Sequence, residues 1–261
     1  MSNQDLCLYE VRGKVSIITL NRPPVHAFSL DLMKALNARL EEADKDENTT
    51  IVLLKSSGNK VFSAGIDIKV SADATPDYFD EVKVYGRKNN QKILTMRKPV
   101  VCQVQGTAIG YGFELVMACD LRIFADRPIE EMFFRMPEID IVIYPQTGAT
   151  ILPLLAFGLT YAKNIMFTAD NFGLEDLKKL NFPTRIIPPS ELESETKKFT
   201  RTLSKRLNSF LFLMKASFTV MNNKYIEQWF DLEDECGAIA YKKKSQRELQ
   251  EFIDEMYKKY P

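Results

Sequence analysis

Apolar and polar positions follow two periods along this chain, and their order sets out an α/β protein. Residues 14–20 (KVSIITL) and 50–55 (TIVLLK) are rich in β-branched side chains and read as strands. The second is a continuous apolar run, the pattern of a strand covered on both faces. Between them Ser29 can cap a helix in which Leu32, Met33, Leu36, Leu40 and Ala43 recur at helical spacing. Strand, helix, strand predicts a right-handed crossover. The pattern repeats with a helix over 78–96, a strand over 99–104 (PVVCQV), a helix over 113–118 and a strand over 121–125 (LRIFA). Helices near 147–156 and 161–167 and a short strand over 184–187 follow. Beyond Pro188-Pro189 almost every residue is helix-forming, with apolar stripes such as Phe199, Leu203 and Leu207. Trp229, Phe230 and Phe252 are expected to present an apolar surface to neighbouring molecules. The division expected is a core over residues 1–195 and a helical region over 196–261.

Composition narrows the classes of function. The 261 residues suffice to bury a full core. Thirty-five basic residues cancel 35 acidic ones, so no overall field recruits nucleic acid or an anionic membrane. The N-terminal residues lack a signal peptide's apolar stretch, and no segment reads as a membrane span. The four cysteines show no CxxC spacing and read as buried free thiols. A cytoplasmic protein is expected. The single histidine, His26, excludes a metal site built on several imidazoles. It follows Pro23-Pro24-Val25 and reads as a turn or packing residue. Acid–base chemistry therefore falls to carboxylates.

The run GTAIGYGFELVMACD, residues 106–120, concentrates the candidate chemistry. Gly106, Gly110 and Gly112 permit close backbone approach, and the helix start that follows leaves N–H groups without partners. Such donors can hold negative charge developing on an oxygen. Glu114 stands on the first helical turn among Phe113, Leu115, Val116 and Met117, where burial would raise its pKa. An anion hole beside a carboxylate suggests carbonyl chemistry. Taken singly, Glu114 reads as readily as a structural carboxylate paired with an arginine or lysine. Glu138 alone reads as a capping or surface residue of a Pro-Glu turn.

Four segments in order, IITLNRP (17–23), VFSAGIDIK (61–69), GFELVMACD (112–120) and MPEIDIVIYP (136–145), resemble the enoyl-CoA hydratase/isomerase family, the crotonase superfamily. The resemblance runs from about Val15 to about Pro188. It implies a spiral of repeated ββα units with a C-terminal helical region used in trimer assembly, either a homotrimer or a dimer of trimers. It implies an acyl-CoA thioester as substrate, with no further cofactor and no metal. Carried over residue by residue, the backbone N–H groups of Ile66 and Tyr111 form the oxyanion hole, and Glu114 and Glu138 are the catalytic pair. Pro24, Val25, Ala64, Asp67, Ile68 and Lys69 line the coenzyme A channel, and residues 71–84 cover the pocket. The leading function is an enoyl-CoA hydratase; the alternative is an enoyl-CoA isomerase or another reaction of the superfamily, such as thioester hydrolysis or decarboxylation.

The chain departs from the family pattern at several places. Tyr111 replaces a glycine at the second amide donor, and its phenol reads as pocket wall. Val142 stands where glycine is common, and Gln146 and Thr147 replace glycine-rich sequence. Asp140 adds a carboxylate two residues after Glu138, facing the same way in a strand but not in a turn.

Overall fold

The computed structural model describes residues 6–71 and 75–260. Strand β1, Cys7–Arg12, turns back through Gly13 and pairs antiparallel with β2, Val15–Leu20. It is an edge strand with most side chains outside the core, so its sequence carries little strand pattern. The main sheet continues in parallel through β3 (Ile51–Ser56), β5 (Val100–Val104), β7 (Leu121–Ala125) and β9 (Arg185–Ile187), in the order 1-2-3-5-7-9. Three short strands, β4 (Val61–Ser63), β6 (Thr107–Ile109) and β8 (Phe134–Arg135), form a second parallel sheet. Each follows a main-sheet strand and precedes a helix, which gives the ββα repeat.

Helix α1, Leu30–Lys45, begins at Ser29, whose Oγ accepts from the Leu32 amide at 3.3 Å. It is followed by α2 (Ile68–Ser71), α3 (Pro76–Thr95) and α4 (Tyr111–Ala118), and further along the chain by the short α6 (Leu174–Lys179). One face of the main sheet packs on α1 and α3 through Leu32, Met33, Leu36, Val82 and Ile93. The other face, with Ile17, Leu53, Val101 and Ile123, meets Leu192 of α7 (Leu192–Leu203) and Leu211 of α8 (Asn208–Ala240). Both faces are covered, which accounts for the apolar runs in β3 and β5. Helix α7 passes through residues 195 and 196, where the sequence pattern sets the division of the chain.

Helix α4 starts at Tyr111, two residues before the apolar run that announces it. Its Phe113 meets Phe134 at 5.3 Å and Phe172 at 5.4 Å between ring centroids. A fully buried phenylalanine is worth about 1.5–3 kcal/mol, so this cluster fixes the orientation of the helix that carries Glu114.

Two expectations are corrected. Helix α5, Ile151–Thr168, has 18 residues and mean hydropathy 1.3, long and apolar enough to cross a membrane by length and composition. Its backbone breaks at Gly158, as the two predicted helices imply, and Ile151, Leu152, Ala162 and Ile165 are buried in the protein core. Trp229 and Phe230 do not form an outward apolar surface. Phe230 is buried, and Trp229 packs on the main core while its Nε1 donates to Thr150 Oγ1 at 2.8 Å. Helical period places both on the inner side of α8. The last helix, α9 (Gln246–Lys259), starts in a capping box between Ser245 and Glu248.

Candidate active site

Every residue that the sequence marks for the site lines one cavity of about 1010 Å³. Pro24, Val25, Ala64, Asp67, Ile68 and Lys69 lie on one side; Ile66, Tyr111, Glu114 and Glu138 complete the wall. Phe79, Val82 and Lys83 of α3 also line it, while residues 72–74 of the expected cover lie outside the described residues. Arg22 bridges Asp67 at 2.7 Å and donates to the Ala27 carbonyl at 2.7 Å, tying the entry loop to the 64–67 segment.

Two residues of the cavity wall, Ile66 and Tyr111, have backbone amides without a partner among the described hydrogen bonds. The Phe28 amide donates to Gly65 O at 2.7 Å and the Asp67 amide to Phe28 O at 3.0 Å. Ile66, between these bonded groups, turns its own N–H to the opposite side, as a parallel bridge requires. Tyr111 is the first residue of α4, where an amide has no intrahelical acceptor. Gly65 brings the two segments together: it has φ +83°, and a Cβ there would lie 2.7 Å from Ile109 O and 3.5 Å from the Tyr111 amide. No other residue fits. Gly110, at φ +50°, takes the positive dihedral before the helix, and a Cβ there would come within 3.2 Å of Glu138 Oε1. Tyr111 itself has ordinary helical backbone. Its phenol donates to Gly86 O at 3.1 Å and its ring meets Phe28 edge-on at 4.8 Å, so the side chain is buried wall.

The carboxylates differ in support. Glu114 is buried; Thr147 Oγ1 donates to its Oε1 at 2.8 Å and Asn90 Nδ2 to its Oε2 at 2.9 Å. Burial first, then the charge of Glu138, raises its pKa well above the carboxylate range, against the pull of those two hydrogen bonds. Glu138 lies in a turn, and its buried Oε2 has no partner among the described residues. Burial pushes its pKa up to about 7, opposed by its own backbone amide and reinforced by Glu233. The charge of Glu138 makes Glu114 harder to ionise, so the two titrate as a pair.

Among the departures, Asp140 leaves the site: the turn sends its carboxylate to Arg135, and it does not line the cavity. Val142 has φ +55°, an uncommon state for a β-branched residue, at the cavity rim. His26 is buried, with the Arg22 amide on Nδ1 at 3.2 Å and Ser57 O on Nε2 at 2.9 Å. It holds the entry loop. Sequence reasoning missed Asn90, which donates to both Glu114 and Thr147 O (2.8 Å), and Glu233 behind it. The available signal was periodicity. Asn90 is a polar residue on a buried face of α3, and Glu233 follows Ile226 and Phe230 at core spacing.

Comparison with known proteins agrees with this geometry. A family model for enoyl-CoA hydratase/isomerase matches residues 10–260, and the chain belongs to that family. A short-chain-enoyl-CoA hydratase of Clostridium acetobutylicum is 29% identical over 75% of this chain and 74% of its own length. A probable enoyl-CoA hydratase of Mycobacterium bovis is 31% identical over 86% of this chain and 82% of its own. A solved enoyl-CoA hydratase from Bacillus halodurans shares the fold with a TM-score of 0.82 at 20% identity, covering 95% of this chain and 99% of that one. The architecture is the crotonase spiral with a C-terminal helical region.

Proposed function

We propose that this protein adds water reversibly across the 2,3 double bond of an acyl-CoA thioester, as an enoyl-CoA hydratase. The observation that carries this reading is a pair of carboxyl groups with raised pKa, one with an unpartnered oxygen, on the same cavity as two unengaged amides. The Ile66 and Tyr111 amides would donate to the thioester oxygen as it gains enolate charge. One member of the glutamate pair takes a proton from water as its oxygen bonds to C3, and the other gives a proton to C2. Atoms balance as one water added, and the pair returns to its starting protonation after exchange with solvent. An isomerase needs only one such group to shuttle a proton between carbons; the second glutamate favours hydration.

The coenzyme A arm is assigned to the wall of Pro24, Val25, Ala64, Asp67, Ile68 and Lys69, with Lys69 exposed to meet phosphate as a point charge. A trimer or a dimer of trimers is the assembly this reading carries. Glu114→Gln and Glu138→Gln should each lower turnover of a 2-enoyl-CoA by about 10²–10⁴-fold with the fold intact. Turnover near wild type in either variant would remove that residue from the mechanism.

A further inference from the structure

Helix α8 reaches the site through a buried acid. Glu233 is 1% exposed, and its Oε2 accepts from the Gly148 amide at 2.9 Å. Its Oε1 accepts from the Thr150 amide at 2.9 Å and from the Thr150 hydroxyl, which also receives the Trp229 indole N–H. These are free donors just before α5, and a carboxylate from another helix satisfies them. The next residues of α8 hold the same segment. Asp234 accepts from Gln146 Nε2 at 3.2 Å and from both terminal nitrogens of Arg87, and Arg87 also donates to Gln146 O at 3.4 Å. Gly237 leaves room for the Gln146 amide. The other end of α8 is anchored by the buried Lys215 amine, which donates to Ile93 O, Lys98 O and Asp120 Oδ2 at 2.8, 3.0 and 2.6 Å.

The segment so held, residues 146–150, contains Thr147. We infer that Glu233 is a positioning residue for Glu114: it fixes the 148–150 backbone, which places the Thr147 hydroxyl on the Glu114 carboxyl. This rests on Glu114 acting in the proposed hydration. The groups facing Glu233 are Arg87 from α3, Glu114 from α4, and Glu138 and Tyr144 from the segment after β8, beside Asp234 on its own helix. Burial pushes its own pKa up to about 7, and once ionised it adds to the cost of ionising both glutamates of the pair.

Glutamine at 233 keeps the volume but turns an NH₂ group towards one of the backbone N–H donors, so one bond is lost. Glu233→Gln should lower kcat with a 2-enoyl-CoA by about tenfold, as expected for a displaced catalytic group, and leave KM little changed. The acid limb of the pH–kcat profile should move to lower pH, because a neighbour whose ionised form opposes the ionisation of Glu138 is gone. Combined with Thr147→Val, the two losses should not multiply. Circular dichroism establishes that each variant is folded, and Glu114→Gln measured beside them separates the two readings. An inactive Glu114→Gln with wild-type kcat and acid limb in Glu233→Gln overturns the positioning role, as do losses that multiply in the double variant. An active Glu114→Gln overturns the catalytic reading beneath it.

Discussion

At Tyr111 the backbone and the side chain have separate roles. The amide begins α4 with no intrahelical acceptor, while the phenol donates to Gly86 O. Tyr111→Phe should therefore keep hydration turnover within a few-fold of wild type, and lose about 0.5–1.5 kcal/mol of stability, one hydrogen bond, since Gly86 O keeps its helical partner within α3. Turnover and thermal melting together check this; a collapse in turnover would make the phenol catalytic. Glycine at this position would relieve no strain, since Gly110 already takes the positive dihedral. Both glutamates and the residues on the cavity wall were legible because the motifs keep their spacing. Asn90 and Glu233 were not, because their partners lie 24 and 83–85 residues away in the chain. Only burial distinguishes them from surface polar residues.

At the level of elements, the parallel strands covered on both faces were the most legible, since both of their side-chain rows are apolar. The second sheet was not: β4, β6 and β8 have two or three residues each, too short for any period to show. Of these strands, β6 carries Ile109 onto the cavity wall. Helices α5 and α8 raise a different question. Leu155, Leu159 and Phe167 on the first, and Phe210, Leu213, Met214 and Phe218 on the second, are exposed in the single chain. Trp229 and Phe230, the aromatic residues the pattern offered for contact, are used inside it. Apolar rows of this extent are covered in most proteins by a partner surface. Light scattering at micromolar concentration should give the mass of three or six chains; a stable monomer would contradict the proposed assembly.

For the molecule as a whole, three buried carboxyl groups set a pH dependence of stability. Glu114, Glu138 and Glu233 all keep protons in the folded state at pH values where the unfolded chain has released them. Stability from these groups is complete below the ordinary carboxylate pKa and falls as pH rises towards the folded values, by up to about 1.4 kcal/mol per pH unit for each group. His26, whose pKa burial lowers, works in the opposite direction near pH 6.5. The difference between variants isolates the carboxyl contribution: from pH 5 to pH 7, the melting temperature of Glu114→Gln should fall less than that of wild type. Parallel melting curves against pH would mean that Glu114 ionises freely. The same raised pair is what hydration requires, and the fate of a water oxygen tests that chemistry most directly. With a trans-2-enoyl-CoA in H₂¹⁸O, mass spectrometry should find one ¹⁸O atom at C3 of a 3-hydroxyacyl-CoA and the thioester unbroken. A migrated double bond without ¹⁸O, or free coenzyme A in place of the hydroxyacyl thioester, would contradict it.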